Sequence, residues 1–552
     1  MLSTELGVSP LLAHLLLQRG FEDPDQAERF LRPSLQDLHD PYLMKDMDCV
    51  VETILKARDL GEKILIYGDY DVDGITATVV LKRALEMLGA TVGFYLPRRL
   101  EEGYGLKKEV LKKARADGYA LVITVDNGIR ALEAAHVALE LGLQLIITDH
   151  HLPDNSLPSA YAILNPHRPD CPYPDKDLAA VGVVFKLVQA LFQKVGRERI
   201  LPHFLKLVAI GTVADVVPLV GENRIFVRFG LEGLADPQNP GLKALLRGAG
   251  VNGEVTWSDV GFKLAPRINA VTRMGGGPEV VNLFSEDSQT NAQAIVQEMN
   301  AKNSLRQQEE RRILAEIEDR IGQDPSAFEG KFLTVAGQHW HRGVIGIVAS
   351  RLVERFCRPV LVLSIEDSFC QGSGRSIPGF NLLEALEECR DLFAQFGGHS
   401  QAVGCLLAEE NCRPEKLDEL ACRLESHAAA KLPSEDLVPS LSIESFLPAE
   451  EISLSLYQVI EQLAPFGNGN PDPVFASRKM RIVAGPWVLK DQHLKFQVQC
   501  NGSRVDAIWW KNGGLADTIS TGSQVDLAYT MSRDSYLGRN KLLLTIRDMR
   551  LP

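Results

Sequence analysis

The chain has 552 residues, too many for one hydrophobic core at roughly 100–200 residues per domain, so three or four domains are expected. A composition of 45% hydrophobic and 24% charged residues is that of an ordinary globular protein and excludes a fibrous, low-complexity or largely disordered chain. The net charge of −13, taken alone, argues against a nucleic-acid partner, because phosphate binding usually leaves a basic footprint, but carboxylates that hold cations add negative charge without removing a local basic groove.

The apolar stretch 11–17 is short, lacks a basic leader and follows Ser9-Pro10, which reads as a helix start rather than a signal peptide. No segment reaches the roughly 20 apolar residues of a membrane span. Nine cysteines, scattered from Cys49 to Cys500 without a C-x-x-C pair, indicate neither a disulfide framework nor a cysteine zinc site, and fit a reducing cytoplasm. Residues 1–45 are expected to form an N-terminal helical segment.

From about 46 to 225, strand-length apolar runs alternate with helical spacing: Lys63-Ile-Leu-Ile-Tyr67, Ala120-Leu-Val-Ile-Thr-Val125, Leu143-Gln-Leu-Ile-Ile-Thr148 and Tyr161-Ala-Ile-Leu164. Such runs suit burial on both faces and predict a parallel α/β sheet. Residues 226–325 end in a polar-faced helical run over about 288–321 that contains no Pro and is expected to join two lobes. An α/β pattern returns over 326–445, with strands at 331–336 and 360–364 and a helix at 344–356. Over 446–552, β-like runs near 474–475, 481–483, 494–498, 505–510, 525–532 and 541–546 suggest a small closed barrel of the oligonucleotide-binding (OB) kind.

The sharpest local signal is Gly68-Asp69-Tyr70-Asp71-Val72-Asp73-Gly74, straight after the first strand. A calcium loop of the EF-hand kind would need Glu at its twelfth position, where Val80 stands, and a buried strand precedes the loop. The second strand ends in Val125-Asp126-Asn127-Gly128 and the third in Thr148-Asp149-His150-His151. Carboxyl ends of parallel strands share one edge, so these acids and histidines should converge. Asp215, in the apolar run before Pro218, is either a further member or a turn aspartate. Clustered carboxylates repel one another, and an oxygen-rich set with imidazoles suits Mg²⁺ or Mn²⁺. Two such ions about 3.5–4 Å apart could activate water and stabilise the leaving oxygen of an in-line displacement at phosphorus.

Asp69-x-Asp71-x-Asp73, Val125-Asp126-x-Gly128, Asp149-His150-His151 and Ala214-Asp215 together resemble the four motifs of the DHH phosphoesterases. The resemblance implies that Asp69 and Asp71 belong to a first metal, that Asp126 bridges, and that Asp73, His150 and Asp215 hold a second. It further implies that His151 faces the scissile phosphate, with Asp149 supporting the histidines. Three segments resemble RecJ nucleases within that family: Pro97-Arg-Arg-Leu-Glu-Glu-Gly-Tyr-Gly-Leu106, Pro266-Arg-Ile-Asn-Ala-Val-Thr-Arg-Met-Gly275 and the run from Trp340 to Arg351. Asn127, and Val271-Thr272 before Arg273, depart from the residues expected there, which bears on packing rather than on metal ligation.

Gly372-Ser-Gly-Arg-Ser376 and Phe396-Gly-Gly-His399 look like substrate motifs of the DHH-associated domain. The first is a phosphate cradle or a glycine-rich turn; as a cradle, Ser373 and Arg375 would hold a 5′-phosphate with Arg99, and Arg273 stands beside them as a substrate residue. His341 and His399 contact phosphate or sugar, or are structural. Trp509 and Trp510 offer one stacking face and one core residue. The resemblance thus implies a two-metal 5′ to 3′ exonuclease with Mn²⁺ or Mg²⁺, acting on single-stranded DNA in repair and recombination. Expected partners are a single-stranded-DNA-binding protein or a helicase, and a monomer is expected. A pyrophosphatase or short-oligonucleotide phosphodiesterase of the same family would need neither the long helix nor the barrel, and a nonenzymatic scaffold would be expected to lose its acids. Lys490, Lys495, Arg504, Lys511, Arg533, Arg539 and Lys541 suggest that the terminal segment carries the incoming strand, and that removing it spares the metal chemistry.

Overall fold

Alternating apolar runs and amphipathic helices build the first lobe in the computed structural model, which describes residues 2–367, 369–534 and 541–551. Its strands are β1 (Lys63–Tyr67), β2 (Thr91–Tyr95), β3 (Tyr119–Val125), β4 (Gln144–Thr148) and β5 (Ala162–Leu164). All pair in parallel in the order β2-β1-β3-β4-β5. β1, β3 and β4 are buried along almost their whole length, as expected of a sheet covered on both faces. Helices α1 (Val72–Met87), α2 (Ala180–Lys194) and α3 (Leu205–Ala214) pack together over the sheet in the largest apolar cluster.

Beyond them α4 (Ala265–Arg273) leads to α5 (Gln289–Gln323), a 35-residue helix about 50 Å long. Ser288 caps its start by accepting from Asn291 N. Ala292, Val296 and Met299 near one end belong to the first lobe's core, while Ile313 and Ile317 belong to the core of the next lobe. One helix buried in two cores therefore joins them.

The second lobe is a sheet of β6 (Leu333–Gln338), β7 (Val360–Glu366), β8 (Phe369–Arg375), β9 (Phe393–His399) and β10 (Ala402–Leu407), in the order β6-β7-β8-β10-β9. Only β6 and β7 are parallel. Helix α6 (Arg342–Phe356) packs on β7 and β8.

A short strand β11 (Ser445–Phe446) introduces β12 (Phe475–Leu489), β13 (His493–Cys500), β14 (Ser503–Trp509), β15 (Gln524–Asp534) and β16 (Lys541–Arg550). A β12–β15 pairing closes the last five into a barrel in which β14 and β16 run parallel. The separate runs read near 474 and 481 form one continuous strand, β12, whose pairing shifts register along its length.

The chain's first residues are not an independent layer. Helices Leu2–Leu6, Pro10–Gln18 and Pro24–Leu31 are too short to bury an apolar face alone. Leu12, Leu15, Leu16, Ala27 and Phe30 pack in the same cluster as Leu463, Phe466, Phe475 and Tyr529. Arg19 and Glu444 pair across this contact at 2.7 Å. No helix of the described residues is long and apolar enough to cross a membrane, and the cysteines are free thiols.

Candidate metal centre

All of the candidate acids except Asp215, which ends α3, follow the ends of β1, β3 and β4. After β1 the chain passes through Gly68, where a Cβ would lie 2.2 Å from Thr78 Oγ1, so only glycine lets the loop turn this close to α1. Asp71 caps α1, its Oδ1 accepting from Gly74 N at 3.0 Å. Asp73, in the first turn, accepts from Ala180 N at 2.7 Å and Val181 N at 2.9 Å and so ties α1 to the start of α2. Asp126 follows β3 with φ 65°, a left-handed backbone that a non-glycine residue adopts only where its surroundings enforce it. Asn127 helps to enforce it: its buried amide donates to Val125 O at 2.9 Å and Tyr67 O at 3.4 Å, joining the ends of β1 and β3.

After β4, Asp149 is saturated with donors: Ile129 N at 2.9 Å, His150 N at 2.8 Å and His151 Nδ1 at 2.8 Å. His151 is thereby oriented, with Nε2 as its remaining nitrogen. His150 Nε2 lies 3.4 Å from Asp126 Oδ1 and 3.6 Å from Asp215 Oδ2, at the end of α3.

Potential ligand atoms fall into three overlapping groups, each within 4.8 Å: Asp69, Asp71 and Asp126; Asp73, His150 and Asp215; Asp126, His150 and His151. Asp69 Oδ1, Asp126 Oδ1 and His150 Nε2 are buried without a hydrogen-bond partner. Burial, then the charge of Asp71, raises Asp69 and Asp126 well above the ordinary carboxylate range and Asp73 to about 7; burial, then Asp73, raises Asp215. Burial would also raise Asp149, but the His151 hydrogen bond and the histidine charges bring it below the usual value. Burial lowers His150 to about 4, which keeps its ring neutral with a lone pair free, as a metal ligand requires. Buried acids that repel one another and ligand atoms without hydrogen-bond partners, distributed over overlapping groups that share Asp126 and His150, are the arrangement that divalent cations relieve, so the residues fit a metal pair.

A basic cradle faces this cluster. Arg99 lies over the Tyr70 ring at 4.7 Å. Arg375 Nη1 donates to Ser373 Oγ at 3.2 Å and to Gly374 O at 2.7 Å. At Gly346 of α6 a Cβ would come within 2.9 Å of Ser373 Oγ, so the helix abuts the cradle through glycine. Arg273 donates to Gly343 O at 2.9 Å, and burial, then the charges of Arg99, Arg375 and Arg306, lowers it to about 9. Guanidinium groups that destabilise one another in this way make an anion site.

His341 Nδ1 accepts from Gly343 N at 3.1 Å, which makes it the cap of α6 and leaves Nε2 as its other ring nitrogen. His399, at the end of edge strand β9, lies 3.4 Å from Arg130 Nη2 and feels the charge of His151. A cavity of about 380 Å³ is walled by Val216, Trp257, Phe262, Asn269, Arg273 and Arg306. Trp509 is half-buried, whereas Trp510 is 51% exposed.

Two residues escaped sequence reasoning. Tyr104 Oη donates to Asp126 O at 3.1 Å and lies 3.3 Å from His151 Nδ1. Its signal was an aromatic between two glycines in the segment 97–106. Arg306 is buried on α5 beside Arg273, and a mid-helix arginine carries no local mark of that position.

Three family descriptions match the chain: DHH family, N-terminal domain, over 63–212; DHHA1 domain over 329–429; and RecJ OB domain over 443–548. The chain is 38% identical to the single-stranded-DNA-specific exonuclease RecJ of Bacillus subtilis, across 99% of this chain and 69% of that one. It is 33% identical to the Escherichia coli protein of the same name, across 98% and 96% respectively. RecJ from Thermus thermophilus in complex with Mn²⁺ superimposes with a TM-score of 0.84 at 30% identity, covering all of this chain and 77% of that one. The Mg²⁺ complex gives a TM-score of 0.77 at 29% identity, covering all of this chain and 76% of that one.

Proposed function

The chain belongs to the RecJ family of DHH phosphoesterases, and from that premise we propose that it removes 5′-mononucleotides from the 5′ end of single-stranded DNA. The observation that carries this is the pairing of two juxtaposed sites, a cluster of buried acids and imidazoles with orphaned donor atoms and a cradle of mutually repelling arginines.

Asp69, Asp71 and Asp126 would hold one Mn²⁺ or Mg²⁺, and Asp73, His150 and Asp215 the other, with Asp126 shared. When bound, the pair would supply a nucleophilic water and charge stabilisation for displacement at phosphorus. The protein's own groups do the rest. Asp149 fixes His151 so that Nε2 is turned to the scissile phosphate, and Tyr104 steadies both His151 and the Asp126 backbone. Arg99, Ser373, Arg375 and Arg273 bind the terminal 5′-phosphate, with His399 and His341 at the margins, so the reaction falls one nucleotide along. Water attacks phosphorus, the bond to O3′ breaks, and O3′ leaves with a proton. The shortened strand again begins with a 5′-phosphate and can be cut again. The cavity beside Trp257 and Phe262 accommodates an unpaired strand between the lobes. In this reading the protein works in the cytoplasm as a monomer, in repair and recombination, alongside a single-stranded-DNA-binding protein or a helicase.

The test is cleavage of end-labelled single-stranded, duplex and short oligonucleotides, and of pyrophosphate, with Mn²⁺ or Mg²⁺. Rapid release of mononucleotides from 5′-phosphorylated single strands alone is expected. Equal rates from both ends, or a preference for pyrophosphate, would refute the reading. Arg375→Ala is expected to lose a charge-assisted hydrogen bond worth on the order of 1.5–3 kcal/mol. The loss should appear as a raised KM for 5′-phosphorylated ends, with 5′-hydroxyl ends little changed. An intact preference for the phosphate would place the cradle elsewhere.

On the barrel, Lys495 is paired with Asp506 at 2.9 Å and Arg533 with Glu461 at 2.6 Å, while Arg539 lies outside the described residues. Lys490, Arg504, Lys511 and Lys541 are exposed, with Lys490 and Lys511 close in sequence to exposed Trp487 and Trp510. We assign these groups to the incoming strand. Replacing Lys490, Arg504 and Lys511 by Gln should flatten the salt dependence of binding to long single strands by roughly 0.7 in log–log slope for each phosphate that is no longer neutralised. An unchanged slope in a salt titration removes the barrel from the DNA path.

A further inference from the structure

We infer that Asn468, at the foot of the barrel, is a positioning residue for Asp215, so that the C-terminal segment forms part of the metal centre. The inference rests on the reading that Asp215 holds a cation. Unlike Asp73 and Asp149, whose carboxylates are gripped by backbone amides, Asp215 has no hydrogen bond to its carboxylate among the described residues. Its ionic neighbour there is His150 Nε2, at 3.6 Å. The placement of that carboxylate therefore depends on its backbone.

The backbone turns sharply there. Asp215 ends α3, and Val216 follows with φ 61°, a left-handed conformation that a β-branched residue adopts only under constraint. Val216 is 64% exposed, so packing of its side chain does not supply the constraint. Asn468 does: its Nδ2 donates to Val216 O at 2.6 Å across 252 positions of sequence, and its own carbonyl accepts from Leu219 N at 2.7 Å. Flanking glycines allow the close approach. A Cβ at Gly467 would lie 2.6 Å from Leu219 Cδ1, and one at Gly469, itself at φ 71°, 3.0 Å from Pro218 Cβ.

The Asn468 loop is itself anchored. Asn470 is fully buried, donates to Leu463 O at 2.8 Å and Pro465 O at 2.9 Å, and accepts from Arg19 Nε at 2.9 Å. Buried Arg224 donates to Ala464 O at 2.8 Å and to Phe30 O at 2.7 Å. On the other side of the contact, Asn223 holds the turn that follows Asp215, donating to Pro218 O at 3.1 Å. Removing the Asn468 amide frees Val216 to relax to a negative φ, which swings Asp215 away from Asp73 and His150.

The experiment is Mn²⁺ titration of the folded, metal-stripped full-length protein by calorimetry, with a thermal melt in chelator as the fold control. In Asn468→Ala one of the two Mn²⁺ affinities should fall by about tenfold or more while the other stays within about twofold, as when support behind a ligand is lost. Asn468→Asp, which keeps the size but replaces the donor, should do the same and serves if the alanine variant does not fold. Val216→Gly placed in the Asn468→Ala background should restore most of the lost affinity, because glycine takes the left-handed conformation freely. Unchanged affinities in a folded Asn468 variant, equal loss at both sites, or no recovery in the double variant would overturn the inference. Asp215→Asn in the same titration separates the two ideas. If it too leaves both affinities intact, Asp215 is not a ligand and the inference falls with that reading; if it alone weakens a site, only the role of Asn468 fails.

Discussion

Asp126→Ala is expected to lower kcat on 5′-phosphorylated single strands by at least about 10³-fold at saturating Mn²⁺, since each 1.36 kcal/mol of lost stabilisation is tenfold and metal sites contribute several kcal/mol. Asp126 belongs to the group with Asp69 and Asp71 and also to a group that contains His150, itself a member of the second proposed set, so on the proposed scheme its removal would disturb both halves of the centre. The fold should survive. Its Oδ1 has no hydrogen-bond partner, and the contacts that hold the turn are made by its backbone: the amide donates to Thr148 O at 3.1 Å and the carbonyl accepts from Tyr104. Alanine at φ 65° costs about 1–2 kcal/mol, while losing a buried, repelled carboxylate offsets part of that. Single-turnover cleavage across a Mn²⁺ series, beside a thermal melt, checks both halves. Turnover close to the parent's in a protein that melts normally would remove the shared-carboxylate scheme.

Deleting 471–552 is expected to abolish soluble, folded protein rather than to leave a trimmed enzyme active on short substrates. The sequence alone predicts a detachable barrel, because β12–β16 lie far along the chain from the acidic motifs. The structure packs Leu12, Leu15, Leu16 and Phe30 from the other end of the chain, together with Leu463 and Phe466, into the barrel's own core. Exposing such side chains costs about 1.5–3 kcal/mol each, which together reaches the 5–15 kcal/mol that typically separates a folded domain from its unfolded chain. Expression, circular dichroism and size-exclusion behaviour of the truncated chain decide the matter. A monodisperse, cooperatively melting product would show that the N-terminal helices do not need the barrel. Removal of residues 1–31 should destabilise the barrel by the same contact, read as a lowered melting temperature.

Much of this architecture is written locally. A run such as Lys63-Ile-Leu-Ile-Tyr67 is apolar on both faces, which only a covered parallel sheet satisfies, and acids placed just after such strands must emerge on one edge of it. Asp69, Asp126 and Asp149 were legible for that reason, as was a 35-residue helix uninterrupted by proline. Asp215 was legible only halfway, because a helix-ending aspartate before a proline looks the same whether it faces a cation or water. What sequence could not determine lies in contacts whose partners are hundreds of residues apart. Periodicity marks Leu12–Leu16 as a helix face but not what the face covers, and nothing beside Asn468 points to Val216. Arg306 reads as one more charge on a polar helix until the second lobe folds Arg375 and α6 toward it. Local propensity and strand-edge geometry are properties of short segments, whereas the joining of the two chain ends and the closing of the cradle arise only when separate cores pack, which tertiary structure alone decides.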